Sequence, residues 1–458
     1  MRVLGAEERA RAERRPRLVC PLARRVLPVF FREIEIVGLD HVPRDAPVVA
    51  VANHPNGLVD PAFLAAYLPL PPRFLAKHTL WRHPVIRPFL ELAAAIPVYR
   101  RQDGVDPAKN AETFAACHAV LACRGAIALF PEGRSHDEPA LVALKTGVSR
   151  IVLEAEAAFG GLGTRIVPVG LTFDDKGRFR SRALMHIGPP VDPAPEVAAF
   201  ASDPVAAVRS LNDRVRAALE GVTLNYPSWD EARLIRRAAE IFERPSVELP
   251  AEASLAAGFA LRRTFIEGYE SLRRHCPERV AEVARAVAEY DAELRCRRLR
   301  DEQVASEYPS SGIARFVLKS LGLLLIRLPA AAVGTAVHAA PYFLVRWIAT
   351  AGKKEADAVA TYKLFASLVI YPVLWLGLAV GAGWAWSFWL GLGTLIAAPT
   401  TAWVAMRFHE RRDHFLGQAR AFLALRGRRS ALRRQRLDVL RAVRELAGEY
   451  ERLAAGGS

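Results

Sequence analysis

The sequence predicts an α/β domain with a largely parallel central sheet, followed by a helical region and C-terminal transmembrane helices. Short apolar runs alternate with helical patterns from about residue 32 to 225, and the strand-like runs stop after that. A stretch of 43 residues, Leu364 to Met406, then contains no charged side chain. Alternating strands and helices are typical of three-layer α/β domains, and a long uncharged run is typical of membrane spans.

Seven apolar runs bounded by turn residues have the length and composition of buried strands. Helical patterns separate many of them, and the clearest runs from Pro107 to about Arg124. Asp106 is suited to its N-cap, Pro107 to its first turn and Gly125 to its end. The predicted strands are Ile34–Val37, Val48–Ala52, Arg73–Ala76, Ile96–Tyr99, Ala126–Phe130, Ile166–Phe173 and Ala183–Ile187.

The pattern divides the chain into five segments. Residues 1–31 form a basic, amphipathic helix whose apolar end is too short and too basic to cross a bilayer. It either lies on a membrane surface or packs on the next domain, and its charged start argues against a signal peptide. The other segments are the α/β domain at 32–225, a helical region at 226–312, a membrane region at 313–406 and a basic helix at 407–458.

The membrane region holds two predicted spans within Leu364–Met406, because that uncharged run is too long for one span. Leu328–Val345 is a weaker third candidate, broken by Pro329 and Pro341. The tail after Met406 contains 13 Arg and 6 acidic residues, which predicts a cytoplasmic tail by the positive-inside rule. With two spans the α/β domain is cytoplasmic as well, and the protein is expected in an inner or cytoplasmic-type membrane.

The formal net charge of +15 would attract nucleic acid, anionic lipid or a phosphorylated substrate. Because the basic tail directly follows membrane spans, anionic lipid is the nearer partner and nucleic acid is not expected. A solvated helix with paired charges is the alternative for that tail. The five cysteines show no CxxC and no metal-ligand spacing, which predicts reduced thiols and no bound metal.

His54 and Asp60 are the candidate catalytic pair, in the loop NHPNGLVDP that follows a predicted buried strand. Open α/β sheets place ligands at the carboxyl ends of their strands. A neutral histidine there can take the proton of an alcohol, and a carboxylate can orient the imidazole. The alternative is that Asp60 caps the helix beginning at Pro61 and His54 is an ordinary loop residue.

Three further blocks follow strands or form one. FPEGRS contains Glu132, a glycine that allows close backbone approach, and an arginine that can grip a phosphate. AIPVYRR places Arg100 and Arg101 after another strand, and VPVGL, with Pro168, is suited to an acyl channel or to an ordinary core strand. Solvated charges in a turn are the alternative for FPEGRS. Additional candidate helpers are Asn53, Lys77 and Lys145.

These blocks resemble the glycerolipid acyltransferase family, which includes glycerol-3-phosphate and 1-acylglycerol-3-phosphate acyltransferases. The resemblance covers about residues 30 to 225. It implies that His54 is a general base, that Asp60 is its partner and that Pro168 has an acyl-binding or structural role. The residues it assigns to the acceptor and its phosphate are Arg100, Glu132, Gly133 and Arg134.

One departure from the family pattern concerns the loop length. Five residues lie between His54 and Asp60, whereas the common box has four. Longer boxes are similar to those of a branch of fungal-type glycerol-3-phosphate or dihydroxyacetone-phosphate acyltransferases and their bacterial relatives. That branch also carries a helical region and membrane segments after the acyltransferase domain.

The implied chemistry is direct transfer from an acyl thioester, either acyl-CoA or acyl carrier protein, with no other cofactor. A thiolate leaves readily because thiol pKa values are about 8.5, so no serine nucleophile is needed. Backbone N–H groups of the Asn56–Gly57 turn are the hypothesised oxyanion donors. The acceptor stays open between glycerol-3-phosphate, dihydroxyacetone phosphate and a lysophospholipid, and a transport or scaffold protein is the alternative class.

Overall fold

A computed structural model describes residues 19–84, 86–100, 104, 107–243, 254–305, 310–351, 359–425 and 429–456. The chain forms two compact units. The first contains the described residues up to Asn225 together with Val359–Phe365, and the second contains those from Tyr226 to Ala351 and from Ala366 onward. The predicted N-cap Asp106 and the predicted phosphate-side residue Arg101 lie outside the described residues.

A seven-stranded sheet forms the centre of the first unit, in the order β1-β7-β6-β2-β5-β3-β4. Strands β2 to β6 are parallel to one another, whereas β7 pairs antiparallel with β6 and parallel with β1. The strands are β1 (Phe31–Val37), β2 (Val48–Ala52), β3 (Arg73–Lys77), β4 (Ile96–Val98), β5 (Ala126–Leu129), β6 (Arg165–Phe173) and β7 (Ser181–Ile187).

The prediction of a largely parallel α/β sheet is confirmed, and all seven predicted runs are strands. All five residues of β2 are buried. A continuous apolar run is what a strand covered on both faces requires. The carboxyl ends of β2, β3, β4, β5 and β6 therefore meet at one edge of the sheet. His54, Asp60 and the FPEGRS block lie at that edge, whereas Pro168 lies within β6 opposite Val51.

Helices pack around this sheet. The described part of α1 spans residues 19–30, and α4 begins after a 3-10 turn at Pro107–Lys109. Apolar side chains of α4, α5 and α7 share one core with β2 and β5. The remaining helices of this unit are α2 (Val59–Tyr67), α3 (Arg87–Leu92), α4 (Asn110–Ala122), α5 (Gly147–Phe159), α6 (Ala194–Phe200) and α7 (Pro204–Val222).

Helix α1 packs on the α/β domain. Leu27 is 1% exposed, and Arg180 donates to the carbonyl of Pro28 at 2.7 Å. Of the two alternatives for the N-terminal helix, the described residues therefore show packing on the neighbouring domain.

The second unit contains two kinds of helix. Helices α8 (Trp229–Glu243), α9 (Leu255–His275), α10 (Pro277–Cys296), α11 (Asp301–Ala305) and α15 (Arg429–Gly456) carry amphipathic or polar sequences. Residues of α8, α10, α11 and α15 form one hydrophobic core. Within it the buried guanidinium of Arg436 pairs with Asp301 at 2.9 Å, and Tyr290 donates to the same carboxylate at 2.8 Å. One face of the basic C-terminal helix is therefore part of a protein core.

Three long apolar helices separate α11 from α15. They are α12 (Ser310–Thr350), α13 (Val359–Ala385) and α14 (Phe388–Leu425). Each contains a stretch long and apolar enough to cross a membrane, at Leu318–Thr350, Val359–Ala385 and Phe388–Arg420. Helix α12 continues through Pro329 and Pro341, so the weak third candidate is a single long helix.

Candidate active site

His54 and Asp60 lie together at the carboxyl end of β2. Nδ1 of His54 lies 2.9 Å from Oδ2 of Asp60, whose side chain is fully buried, while that of His54 is 17% exposed. The backbone N–H of Asn56 donates to the same oxygen at 2.7 Å. Asp60 sits in the first turn of α2 and its carboxylate points back into the loop, so it orients the imidazole instead of capping the helix.

The electrostatics of this pair follow from burial. Removal from water raises the pKa of the Asp60 carboxyl above its ordinary value, and the hydrogen bond from His54 offsets part of that rise. Because Nδ1 of His54 donates to Asp60, Nε2 carries the lone pair of the neutral ring. This is the tautomer that a general base needs.

Glu132 holds the backbone of this loop. Its carboxylate is buried and accepts from the backbone N–H of His54 at 2.9 Å and from that of Val142 at 3.1 Å. Nε2 of His136 hydrogen-bonds Oε2, the oxygen that also accepts from Val142, whereas His54 contacts Oε1. The backbone N–H of His136 in turn donates to the carbonyl of His54 at 3.1 Å. All three donors belong to the loops themselves, and the negative charge of Glu132 does not favour contact with an acceptor phosphate.

Gly133 and the cations around it form a place for an anion. The φ angle of Gly133 is 74°, and a Cβ there would lie 2.8 Å from the ammonium nitrogen of Lys145. Lys145 is exposed, and the side chain of Arg134 is 63% exposed with Glu138 3.9 Å away. The N–H of Gly133 donates to the carbonyl of Phe130 at 2.9 Å, so this glycine gives room to the Lys145 side chain. The two solvent-accessible cations are the groups that a phosphate could contact.

Asn53 and Pro168 connect β2 to β6. The side-chain amide of Asn53 donates to the carbonyl of Leu171 at 3.0 Å and accepts from its N–H at 2.7 Å. Pro168 is buried in β6, immediately before the antiparallel ladder with β7 begins at Val169. A proline is tolerated there because no partner on the β7 side requires its missing N–H. Both residues fix the end of β2, where His54 follows.

Lys77 and Arg100 lie at the same edge of the sheet. Lys77 is the last residue of β3, and Arg100 follows β4 by two residues. Because β4 is the edge strand, Arg100 lies further along this edge from β2 than FPEGRS does. Among the described residues there is no group of three or more His, Cys, Asp or Glu side chains that could hold a metal ion.

Two family models match this chain. The Acyltransferase model matches residues 33–172, and the Glycerol-3-phosphate acyltransferase 2 C-terminal domain model matches residues 234–451. The chain is therefore similar to glycerolipid acyltransferases over both of its units. The first match covers the sheet and the loops of the candidate site, and the second covers the helices of the second unit.

Similar acyltransferases are known in yeasts. Glycerol-3-phosphate O-acyltransferase 2 of Saccharomyces cerevisiae is 28% identical over 282 residues, covering 58% of this chain and 37% of that protein. Glycerol-3-phosphate O-acyltransferase 1 of the same yeast is 26% identical, covering 56% of this chain and 35% of that protein. The chain thus aligns with little more than a third of the length of these relatives.

A solved structure with some likeness is that of the 1-acyl-sn-glycerophosphate acyltransferase PlsC from Thermotoga maritima. It is 18% identical with a TM-score of 0.35, covering 48% of this chain and 83% of that one.

Three further residues of this candidate site are not part of the sequence prediction. Phe130 stacks on the His54 ring with centroids 4.0 Å apart, although only its place at a strand end was noted. Lys176 donates to the carbonyl of Pro55 at 3.0 Å. His136 holds Glu132, and its position four residues after that acid was a usable signal. Its Nδ1 accepts from the N–H of Glu138 at 3.1 Å, so both of its nitrogens are engaged.

The hypothesis for the oxyanion donors needs a correction. The N–H of Asn56 is committed to Asp60, so it is not available to a substrate oxygen. Gly57, with a φ angle of 48°, is the other residue of that turn.

Proposed function

We propose that this protein is a membrane-bound O-acyltransferase that moves a fatty acyl group from an acyl thioester to a hydroxyl of a glycerol-phosphate acceptor. The observation that carries the proposal is the His54–Asp60 pair beside the Gly133 loop with its two exposed cations. A base and an anion site at one sheet edge are suited to an alcohol that also bears a phosphate. The two Saccharomyces cerevisiae relatives, both glycerol-3-phosphate O-acyltransferases by name, support glycerol-3-phosphate as that acceptor.

The proposed reaction uses His54 as its base. Nε2 takes the hydroxyl proton of the acceptor, and the oxygen attacks the thioester carbonyl carbon. The C–O bond forms, the C–S bond breaks, and the thiolate leaves with the proton that the imidazolium returns. Asp60 stabilises the imidazolium between these two steps. Neither a serine nucleophile nor a metal ion takes part.

We assign the acceptor phosphate to Arg134 and Lys145, with Gly133 leaving room for the Lys145 side chain and Arg100 as a further cation along the sheet edge. Lys77 is a helper at that edge, and Asn53 and Pro168 act by fixing the end of β2. Glu132 has the role of a positioning residue because all its donors belong to the loops themselves. The longer spacing between His54 and Asp60 remains a predicted marker of the fungal-type branch.

The membrane arrangement can be inferred from the second unit. Helices α10 and α11 precede the three apolar helices, and α15 follows them. Residues of α10, α11 and α15 contribute to one core. Chain segments that share a core lie on the same side of a membrane, so an even number of the apolar helices crosses. Helix α12 carries Lys319, Arg327 and Arg346, whereas Leu364–Met406 carries no charge. We therefore propose that α13 and α14 cross as a hairpin.

This hairpin returns the chain to its starting side. The start of α13 belongs to the same unit as the catalytic domain, and the end of α14 leads into the basic helix α15. Both ends are then cytoplasmic by the positive-inside rule, in an inner or cytoplasmic-type membrane. With Ser387→Cys in sealed vesicles, an impermeant thiol reagent should label the α13–α14 turn from the side opposite to the native, exposed Cys296. Labelling of both from one side contradicts the hairpin.

The activity is tested with the purified full chain, labelled acyl-CoA or acyl carrier protein, and a panel of acceptors. The panel contains glycerol-3-phosphate, dihydroxyacetone phosphate, 1-acylglycerol-3-phosphate and glycerol. We expect transfer to a phosphorylated acceptor, glycerol-3-phosphate above the others, and little transfer to glycerol. Equal transfer to glycerol contradicts the phosphate site, and no transfer to any acceptor contradicts the proposed function.

A further inference from the structure

The first turn of the membrane helix α13 contacts the catalytic loop. The hydroxyl of Thr361 accepts a hydrogen bond from the backbone N–H of Leu58 at 2.9 Å. Leu58 lies between His54 and Asp60 and is the N-cap residue of α2. The first N–H groups of a helix have no partner within it and need one elsewhere. Thr361, which lies 303 positions further along the chain, supplies the partner for the N–H of Leu58.

A second connection begins two residues later in the same turn. The ammonium group of Lys363 donates to the carbonyl of Gly177 at 2.7 Å. The neighbouring Lys176 donates to the carbonyl of Pro55 at 3.0 Å and pairs with Asp137 at 2.6 Å. Pro55 directly follows His54. Lys363 thus fixes the turn between β6 and β7, and that turn fixes the other end of the catalytic loop.

Apolar packing holds the α13 turn against the catalytic domain. Leu364 is 5% exposed, and the ring of Phe365 lies edge-on to that of Phe89 with centroids 5.0 Å apart. A turn that is packed in this way offers its hydroxyl and ammonium groups in fixed positions. The loop it holds includes Gly57 with a positive φ, and hydrogen bonds from outside the loop add to the internal bond between Asn56 and Asp60 in restricting its shape.

We propose that Thr361 and Lys363 are positioning residues for acyl transfer, which makes the first turn of α13 a component of the active site as well as the start of a membrane anchor. The inference rests on the proposed function, because it places the effect on the His54–Asp60 loop. Hydrogen bonds to both ends of this loop would hold the imidazole at the angle that proton transfer requires.

The test compares Thr361→Val, which removes the acceptor at nearly constant shape, with Thr361→Ser, which retains it. Both are made in the full chain and assayed in lipid vesicles with glycerol-3-phosphate and acyl-CoA. We expect Thr361→Val to lower kcat about ten-fold, with both KM values within about two-fold of wild type, because a small misplacement from a distant change is enough to slow the chemistry. Thr361→Ser should recover most of the wild-type kcat.

The matched control is Thr400→Val on α14, where the hydroxyl donates to the carbonyl of Ile396 in its own helix at 2.7 Å. This variant should retain wild-type kcat and have a thermal midpoint close to that of Thr361→Val. If Thr361→Val and Thr400→Val have the same kcat, the inference is overturned. The same holds if Thr361→Ser is as slow as Thr361→Val, since the hydroxyl is then not what matters.

Lys363 provides an independent arm. Lys363→Met keeps the length of the side chain without its donor, and we expect kcat to fall about five-fold, with a larger loss in combination with Thr361→Val. Failure of the inference is distinguishable from failure of the proposed function. If His54→Ala is inactive and Thr361→Val is fully active, only the role of α13 is rejected. If the wild type is inactive, the proposed function is rejected.

Discussion

Two histidines, one in each unit, show how the surroundings decide what an imidazole can do. His54 has Nδ1 bound to Asp60, and its other nitrogen keeps a lone pair at a partly exposed sheet edge. His338 on α12 lies 2.8 Å from the carbonyl of Gly334 through Nδ1, and its Nε2 accepts the indole N–H of Trp375 at 2.9 Å. The first ring is oriented and available, whereas the second is oriented and fully used.

The difference lies in the partners as well as in their number. A carboxylate stabilises the imidazolium that forms during proton transfer, whereas a backbone carbonyl and an indole hold a neutral ring. Within apolar helices, such hydrogen bonds satisfy polar groups that water does not reach. His338 is therefore a helix-packing residue, even though it is as buried as many catalytic groups.

Asp60→Asn is expected to have the largest effect on activity, because it removes the carboxylate partner that His54 has and His338 lacks. We expect kcat to fall by about 10³-fold or more, as loss of the orienting acid does in histidine-based hydrolases. The measurement is steady-state acyl transfer with glycerol-3-phosphate.

The thermal stability of Asp60→Asn should not fall, although its activity does. Burial raises the pKa of Asp60, so the ionised carboxylate costs the folded state free energy. That cost appears as the pH rises from the ordinary aspartate value of about 3.9 to the raised value, and it persists at neutral pH. The thermal midpoint of Asp60→Asn at neutral pH should thus equal or exceed that of wild type. A marked fall would show that Asp60 is there for the fold.

Glu132→Gln is expected to have the next largest effect. A glutamine presents one N–H₂ group to a pocket of donors, which costs about 1–3 kcal/mol and corresponds to roughly 5- to 150-fold in kcat if the His54 backbone shifts. Glu112→Gln, an exposed site on α4, is the control and should behave as wild type. If Glu132→Gln instead raises only the KM for the acceptor, Glu132 contacts the substrate and our positioning role is wrong.

Lys145→Met should have a smaller and different effect. The variant lacks the ammonium beside Gly133, so we expect the KM for glycerol-3-phosphate to rise about ten-fold with little change in kcat, as for loss of uniform binding. Arg209→Met, an exposed site on α7, is the matched control. An unchanged KM in Lys145→Met would show that Lys145 does not bind the acceptor phosphate.

Much of the fold and the core of the site could be predicted because both are local patterns. Buried parallel strands are continuous apolar runs, and β2 has that form over Val48–Ala52. His54 comes two residues after the end of β2, which places the histidine at a ligand-binding edge. The antiparallel orientation of β7 was not predictable in this way, since periodicity says nothing about strand direction.

The supporting contacts could not be predicted, because they join residues that are far apart in sequence. Glu132 is an acid within a basic block, and only the fold shows that its oxygens hold His54 and Val142. Thr361 lies in the first turn of an apolar helix and carries no motif. The role of α15 was hidden for the same reason, since its basic composition concealed a face that packs on α10 and α11.

The most direct test of the account is the same substitution at the two histidines, His54→Ala and His338→Ala, with acyl transfer to glycerol-3-phosphate measured per folded molecule. We predict that His54→Ala loses at least about 10³-fold in kcat because it removes the base, while His338→Ala stays within about three-fold of wild type. Comparable rates for wild type and His54→Ala, or a larger loss in His338→Ala, would contradict the assignment of His54 as the base.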